Sequence, residues 1–133
     1  MTIQLSDQAL LKTQAYINGQ WVDADDGATF DVLNPATQDV VARVASVGAA
    51  ETRRAIEAAD VAQKKWAARS AMERSVILRR WNDLMLQHQE DLAVIMTLEQ
   101  GKILAESRGE IVYAASFIEW FAEEGKRIYG DIL

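Results

Sequence analysis

The chain has no cysteine, one proline and one histidine. The missing cysteine excludes a disulfide scaffold, a thiolate metal site and a cysteine nucleophile within these residues. No apolar run approaches the 18 or so residues of a membrane span, so no membrane partner is expected. The N-terminal Met-Thr-Ile-Gln-Leu-Ser-Asp lacks a basic region followed by an apolar core, so it does not read as a signal peptide. There is also no surplus of positive charge. Fourteen Lys and Arg against twenty Asp and Glu leave a formal charge of −6, which argues against a phosphate-backbone binder and so against a nucleic-acid partner. What remains is ordinary globular composition, half apolar and a quarter charged, in 133 residues, enough for one small domain with a real core.

With Pro35 alone and seven glycines, little interrupts the chain after residue 35, and long helices are expected there. Residues 1–14 read as a loosely held arm or a short helix. Residues 15–47 form a β-hairpin region. Asn18-Gly19 between Tyr16-Ile17 and Gln20-Trp21-Val22 is a strong hairpin signal, because a type I′ turn needs positive φ at both central positions. Asp25-Asp26-Gly27 offers a second turn, Thr29 to Leu33 a third short strand, and Val40 to Val47 one more. Such hairpins are marginal alone and must pack on something.

Residues 48–130 read as four helices. In the first, Thr52, Ile56, Ala59, Gln63 and Trp66 share a face, with Ala55 and Ala62 beside it. Ser70 and Glu73 have capping-box spacing and open the second, whose stripe is Ile77, Leu78, Trp81, Leu84, Met85 and His88. The third carries Leu92, Ile95, Met96 and Glu99 and should break at Gly101. The fourth is expected from about Leu104 to Tyr129, stopping at Gly130. The fold class is therefore mainly α with a short N-terminal β-hairpin or meander.

The fourth helix has two apolar stripes. Ile111, Ala114, Ala115, Ile118, Phe121, Ala122, Gly125, Ile128 and Tyr129 make a broad one. Tyr113, Phe117 and Trp120 make a narrower one, roughly 130° away. One reading packs the helix on a sheet on one side and a helix on the other. The other turns the aromatic stripe to a pocket or a partner chain.

Chemistry within the chain is thin. His88 has no nucleophile beside it in the pattern and reads as a packed or cap-satisfying histidine. Glu99-Gln-Gly-Lys102 lacks the first glycine, the following Ser/Thr and the preceding strand of a phosphate loop. The acid pairs Glu123-Glu124 and Asp25-Asp26 read as a solvated face and a turn. Gly109 and Gly125, inside a helix, suggest close approach of another backbone.

Taken in order, several motifs resemble the N-terminal segment of the aldehyde dehydrogenase superfamily. They are Tyr16-Ile-Asn-Gly-Gln-Trp21, Phe30-Asp-Val-Leu-Asn-Pro-Ala-Thr37, Ala58-Ala59 with Trp66, Glu73-Arg74, and Leu98-Glu-Gln-Gly-Lys102. Residues 110–131 look like the bacterial succinate-semialdehyde dehydrogenase branch. The resemblance implies the N-terminal part of an α/β fold with an incomplete Rossmann-like domain. It implies a longer enzyme in which a cysteine thiolate attacks an aldehyde, hydride passes to NADP or NAD, and water releases the acid. The coenzyme and catalytic portions, with the cysteine and a glutamate base, are absent here. No catalytic residue and no coenzyme contact is thus expected in this chain, which alone should be inactive.

The resemblance further implies that Tyr113, with Phe117 and Trp120, lines the tunnel by which the small-molecule aldehyde enters. It implies a monovalent cation held by backbone carbonyls at Val32, Leu33 and Glu99. It also implies a cytoplasmic enzyme that is a homo-oligomer when complete. Two departures stand out: Ile103 where proline commonly follows Gly-Lys, and Gly130-Asp-Ile-Leu133 where the family continues with Thr-Ile-Pro. These suggest a truncated or partial chain. The alternative is a non-catalytic helical interaction module, or a degenerate truncated remnant, binding another protein through its aromatic stripe.

Overall fold

The computed structural model describes residues 3–130. The last three residues of the C-terminal motif quoted above, Asp131 to Leu133, and the first two of the arm lie outside the described residues. A single 3₁₀ turn, Gln8–Leu10, precedes four strands, β1 (Ala15–Ile17), β2 (Gln20–Val22), β3 (Thr29–Leu33) and β4 (Val40–Ala45). Four helices follow: α1 (Ala49–Ala67), α2 (Ala71–Gln87), α3 (Gln89–Gln100) and α4 (Leu104–Glu124).

The strands form two separate antiparallel pairs, β1–β2 and β3–β4, rather than one meander. The first is the expected hairpin. Asn18 (φ 51°) and Gly19 (φ 81°) both take positive φ at its turn, with Tyr16 opposite Trp21. In the second, a shift between Val32 and Leu33 sets Val32 against Ala42 but Leu33 against Val40. The loop between them is closed by hydrogen bonds. Asn34 N–H donates to Asp39 O, Gln38 N–H donates to Asn34 O, and the Asn34 side chain accepts from Ala36 N–H.

The helices begin and end for local reasons. Ser70 accepts from Glu73 N–H while Glu73 accepts from Ser70 N–H, completing the expected capping box. α3 stops at Gly101, which takes φ 79° and donates its N–H to Thr97 O. A β-carbon at Gly101 would lie 2.6 Å from Pro35 Cγ, so the end of α3 is packed tightly on the loop after β3. His88 stands at the junction of α2 and α3, its backbone N–H donating to Leu84 O, and its side chain makes no capping hydrogen bond to α3.

Four expectations are corrected. The arm is not loose: Ile3 is buried, and the Ser6 and Asp7 N–H groups donate to the Asp91 carboxylate. α4 ends at Glu124, five residues short of Tyr129. Gly125 stands at its C-cap rather than inside it, while Gly130 does take the left-handed conformation. Nothing approaches within 4 Å of where a β-carbon at Gly109 would sit, so no neighbouring backbone explains that glycine.

The buried helix faces are the fourth correction. α1 buries Glu51, while Ile56 and Val61 are exposed. α2 buries Ser75 and Asn82, with Ile77 and Trp81 turned outward. α4 packs on α2 and α3, not on a sheet, through Ser107, Ile111, Ala115 and Ala122. Three of these four are small, which lets the helices approach closely, and Asn82 Nδ2 donates to Ala115 O at 2.9 Å inside the seam. The helical periods were right, but the chain buries narrow, small-residue faces and leaves much larger apolar surface outside.

Candidate functional site

α4 decides where the aromatic stripe points. Because Ile111, Ala115 and Ala122 face α2 and α3, the side chains of Tyr113, Phe117 and Trp120 emerge on the opposite flank. They are 64%, 46% and 63% exposed, and neither sheet covers them. Tyr113 and Phe117 meet edge to face, ring centroids 4.8 Å apart at 79°. That geometry suits the ring quadrupoles and orders two neighbouring rings on one surface. Ser116 Oγ donates to Tyr113 O, so its hydroxyl is spent locally.

The three rings line one shallow open groove with Ser116, Glu119, Glu123, Glu124 and Arg127. Its carboxylates are all paired, two of them with cations outside the groove. Arg79 on α2 donates to Glu119 at 2.6 Å, Lys126 meets Glu123 at 2.7 Å, and Arg127 meets Glu124 at 3.2 Å. The hydrogen bond from Lys126 holds the Glu123 carboxyl below its ordinary pKa, against partial desolvation. The groove therefore offers an aromatic floor with a paired, acidic end. Its lining holds no cysteine and no histidine.

The backbone positions Val32, Leu33 and Glu99 lie at the ends of two elements that the fold joins. Val32 and Leu33 finish β3, Glu99 lies in the last turn of α3, and the contact of Pro35 with Gly101 brings those ends together. The carbonyls of a helix's last turn lack intrahelical donors, which makes them available to a cation. Among the described residues, no cluster of three His, Asp or Glu side chains has metal-binding geometry.

The remaining candidates have structural roles. Glu99 to Lys102 is a helix end, with Lys102 paired to Glu110. Asp25 is tied to Arg54 through both oxygens, at 2.8 and 2.7 Å. The residues that the sequence reading missed are polar and buried: Glu51, Asn82 and Asp91. Glu51 accepts from Asp25 N–H and Gly48 N–H, locking the turn before β3 to the start of α1. No sequence signal announced these, since each lies off the apolar stripe read for its helix.

Comparison with known proteins places this arrangement. The chain is 63% identical to a glutarate-semialdehyde dehydrogenase of Pseudomonas putida over 98% of its own length and 27% of that protein's. It is 59% identical to an NADP(+) succinate-semialdehyde dehydrogenase of Escherichia coli, with the same coverage. A crystal structure of succinate-semialdehyde dehydrogenase from Burkholderia pseudomallei superposes with a TM-score of 0.94 at 58% identity, over 97% of this chain and 27% of that one. The chain thus spans about a quarter of the length of the curated relatives it matches. No helix among the described residues is long and apolar enough to cross a membrane. Residues 21–133 match the model of the Aldehyde dehydrogenase family, and the chain belongs to that family as its N-terminal segment.

Proposed function

We propose that these residues work as the N-terminal part of an NAD(P)-dependent dehydrogenase that oxidises a short semialdehyde bearing a carboxylate, succinate semialdehyde first and its one-carbon-longer homologue second. One observation carries the reading: identity of 59–63% over nearly the whole chain to enzymes named for those two aldehydes. NADP is the coenzyme favoured by the name of the Escherichia coli relative. The nucleophile, the general base and the coenzyme contacts belong to parts of the polypeptide outside these 133 residues, and the assembled enzyme is a cytoplasmic homo-oligomer.

Within it, the flank of α4 is one wall of the aldehyde's approach. Tyr113 and Phe117 supply a stiff aromatic surface against the aliphatic carbons, with Trp120 further along. Their placement together on the flank of α4 turned away from α2 and α3, with Tyr113 and Phe117 edge to face, supports this role. The acidic end formed by Glu119, Glu123 and Glu124 does not suit a carboxylate, so the substrate's own carboxylate is held by the facing wall. Val32, Leu33 and Glu99 fit a monovalent cation through their main-chain carbonyls.

The test is an assay of the natural full-length polypeptide with succinate and glutarate semialdehydes and with both coenzymes. The expected result is aldehyde-dependent NADP reduction with both substrates and little with a long-chain neutral aldehyde. Absence of turnover with either semialdehyde overturns the reading.

A further inference from the structure

The N-terminal arm plays no part in the reading above, yet it is stitched down at three places. Ile3 is buried beside Leu98 of α3 and Val40 and Val41 of β4. Ser6 N–H donates to Asp91 Oδ1 at 2.8 Å, and Asp7 N–H donates to Asp91 Oδ2 at 2.9 Å. Further on, Ala45 N–H donates to Thr13 O at 2.8 Å.

The first two anchors sit at opposite ends of one helix. Asp91 is in the first turn of α3 and Leu98 in its last. Seven residues of helix rise about 10 Å, and the three residues from Ile3 to Ser6, drawn out, span about the same. Burial alternates from Ile3 to Ser6, with Ile3 and Leu5 turned inward and Gln4 and Ser6 outward, before the chain bends at Ser6 into the 3₁₀ turn. That alternation is the period of extended chain. Over these four residues the arm is a strap running antiparallel along α3, after which it folds back and Gln8 Nε2 donates to Ile3 O at 3.0 Å.

The strap ends at a joint. Just beyond Leu98, Gly101 packs against Pro35, and the loop from Asn34 to Asp39 closes on itself. Ile3 is buried where that loop, β4 and α3 meet, lining a small cavity with Val40, Val41 and Leu98. One isoleucine cannot offset the conformational freedom that half a dozen residues give up on ordering. A buried carboxylate that accepts two main-chain N–H groups can, because such bonds are charge-assisted and both donors lose a partner if it goes.

We propose that Asp91 is the buckle of this strap, a positioning residue that keeps Ile3 seated and so braces the joint between the C-terminus of α3 and the β3–β4 loop. It acts at a distance of about 10 Å along the helix. The contact with Ile3 and the contact of Pro35 with Gly101 are two clasps on the same joint, and Asp91 controls one of them.

The test is amide hydrogen exchange on the natural full-length polypeptide, comparing Asp91→Asn and Ile3→Ser with the parent. Asn keeps the shape but offers one acceptor oxygen where the carboxylate offers two. Asp91→Asn is expected to speed exchange at least tenfold in residues 3–11 and also in 34–41 and 98–102, with α2 and the body of α4 unchanged. Ile3→Ser removes the far anchor and leaves the carboxylate, and is expected to open the same joint residues. Faster exchange confined to the arm overturns the bracing role. No change in either region overturns both the strap and the buckle. A uniform rise through α2 and α4 also overturns the proposal, since it makes Asp91 a general support of the core.

Discussion

Asn82 reaches across the α2–α4 seam and donates its side-chain N–H to the main-chain carbonyl of Ala115, 2.9 Å away and out of contact with water. That carbonyl belongs to the residue midway between Tyr113 and Phe117 along α4. The bond therefore fixes the rotation of α4 about its axis as well as its distance from α2. Asn82→Ala is expected to cost about 1–2 kcal/mol, the worth of a buried hydrogen bond plus a small void. A lowered denaturant midpoint with an unchanged slope checks it. A loss of less than about 0.3 kcal/mol would assign the register to the small residues of the seam alone.

Two glycines on either side of the α3–α4 turn are expected to respond oppositely to the same substitution. Gly101→Ala forces a β-carbon into Pro35 at a positive φ, and at least about 2 kcal/mol of stability should be lost. Gly109 is helical with open space around it, and Gly109→Ala should add about 0.5–1 kcal/mol. Thermal unfolding of the two variants in the natural polypeptide separates them. Loss of stability in Gly109→Ala would reveal another part of that polypeptide lying against this stretch of α4.

On the proposed function, Tyr113→Ala in the full-length enzyme should raise the aldehyde KM and leave the coenzyme KM alone. About tenfold in kcat/KM, or roughly 1.4 kcal/mol, is the expected loss for one aromatic wall. Phe117→Ala should do less, since Phe117 is the least exposed of the three rings. Steady-state kinetics with both substrates varied reads this directly. Equal changes in both KM values would mean that α4 is merely disturbed.

Two buried carboxylates give the fold an acid-sensitive edge. Glu51 lies below its ordinary value of 4.5, chiefly through the Asp25 N–H and then through main-chain donors at the start of α1. Asp91 lies below 3.8 through the N–H groups of Ser6 and then Asp7, with His88 adding a smaller pull. A carboxyl whose pKa is lower folded than unfolded stabilises the fold fully above its unfolded value. That contribution fades as pH falls through the folded value. Stability should therefore be flat above about pH 5 and decline below about pH 4.5. Denaturant titrations at pH 7, 5, 4 and 3 test it, with Glu51→Gln expected to flatten the decline while lowering stability at pH 7.

Much of the fold was legible because its signals are short-range. Asn18-Gly19, the Ser70–Glu73 box and the stop at Gly101 each act within four residues, and each stands where the spacing put it. The buried faces were not legible. A helical period shows that Ile77 and Trp81 share a side of α2, but not whether anything in the chain covers them, and the side that packs is the one with Ser75 and Asn82. The short turn at Gln8–Leu10 meets one alternative for the arm, but that the arm is held down was not legible, for a related reason. Its partner Asp91 lies 85 residues from Ser6, and no local pattern announces so distant a contact. For the candidate site, the aromatic stripe was visible as spacing, and its outward direction followed only once the seam with α2 and α3 was seen.

The two hairpins carry a further cost. Each sheet has only two strands, so every described strand in the molecule is an edge strand with main-chain donors and acceptors along one side. β4 adds Val40, Val41 and Val44 to such an edge, with Phe30 and Leu33 on its neighbour. The arm covers part of β4, where Ala45 N–H donates to Thr13 O, but the free part of an apolar ribbon edge recruits any other strand it meets, including its own copy in a neighbouring molecule. During synthesis these ribbons emerge before the rest of the domain does. The solubility of the nascent chain then depends on how soon the helices that follow, and whatever lies after them, arrive to shield those edges.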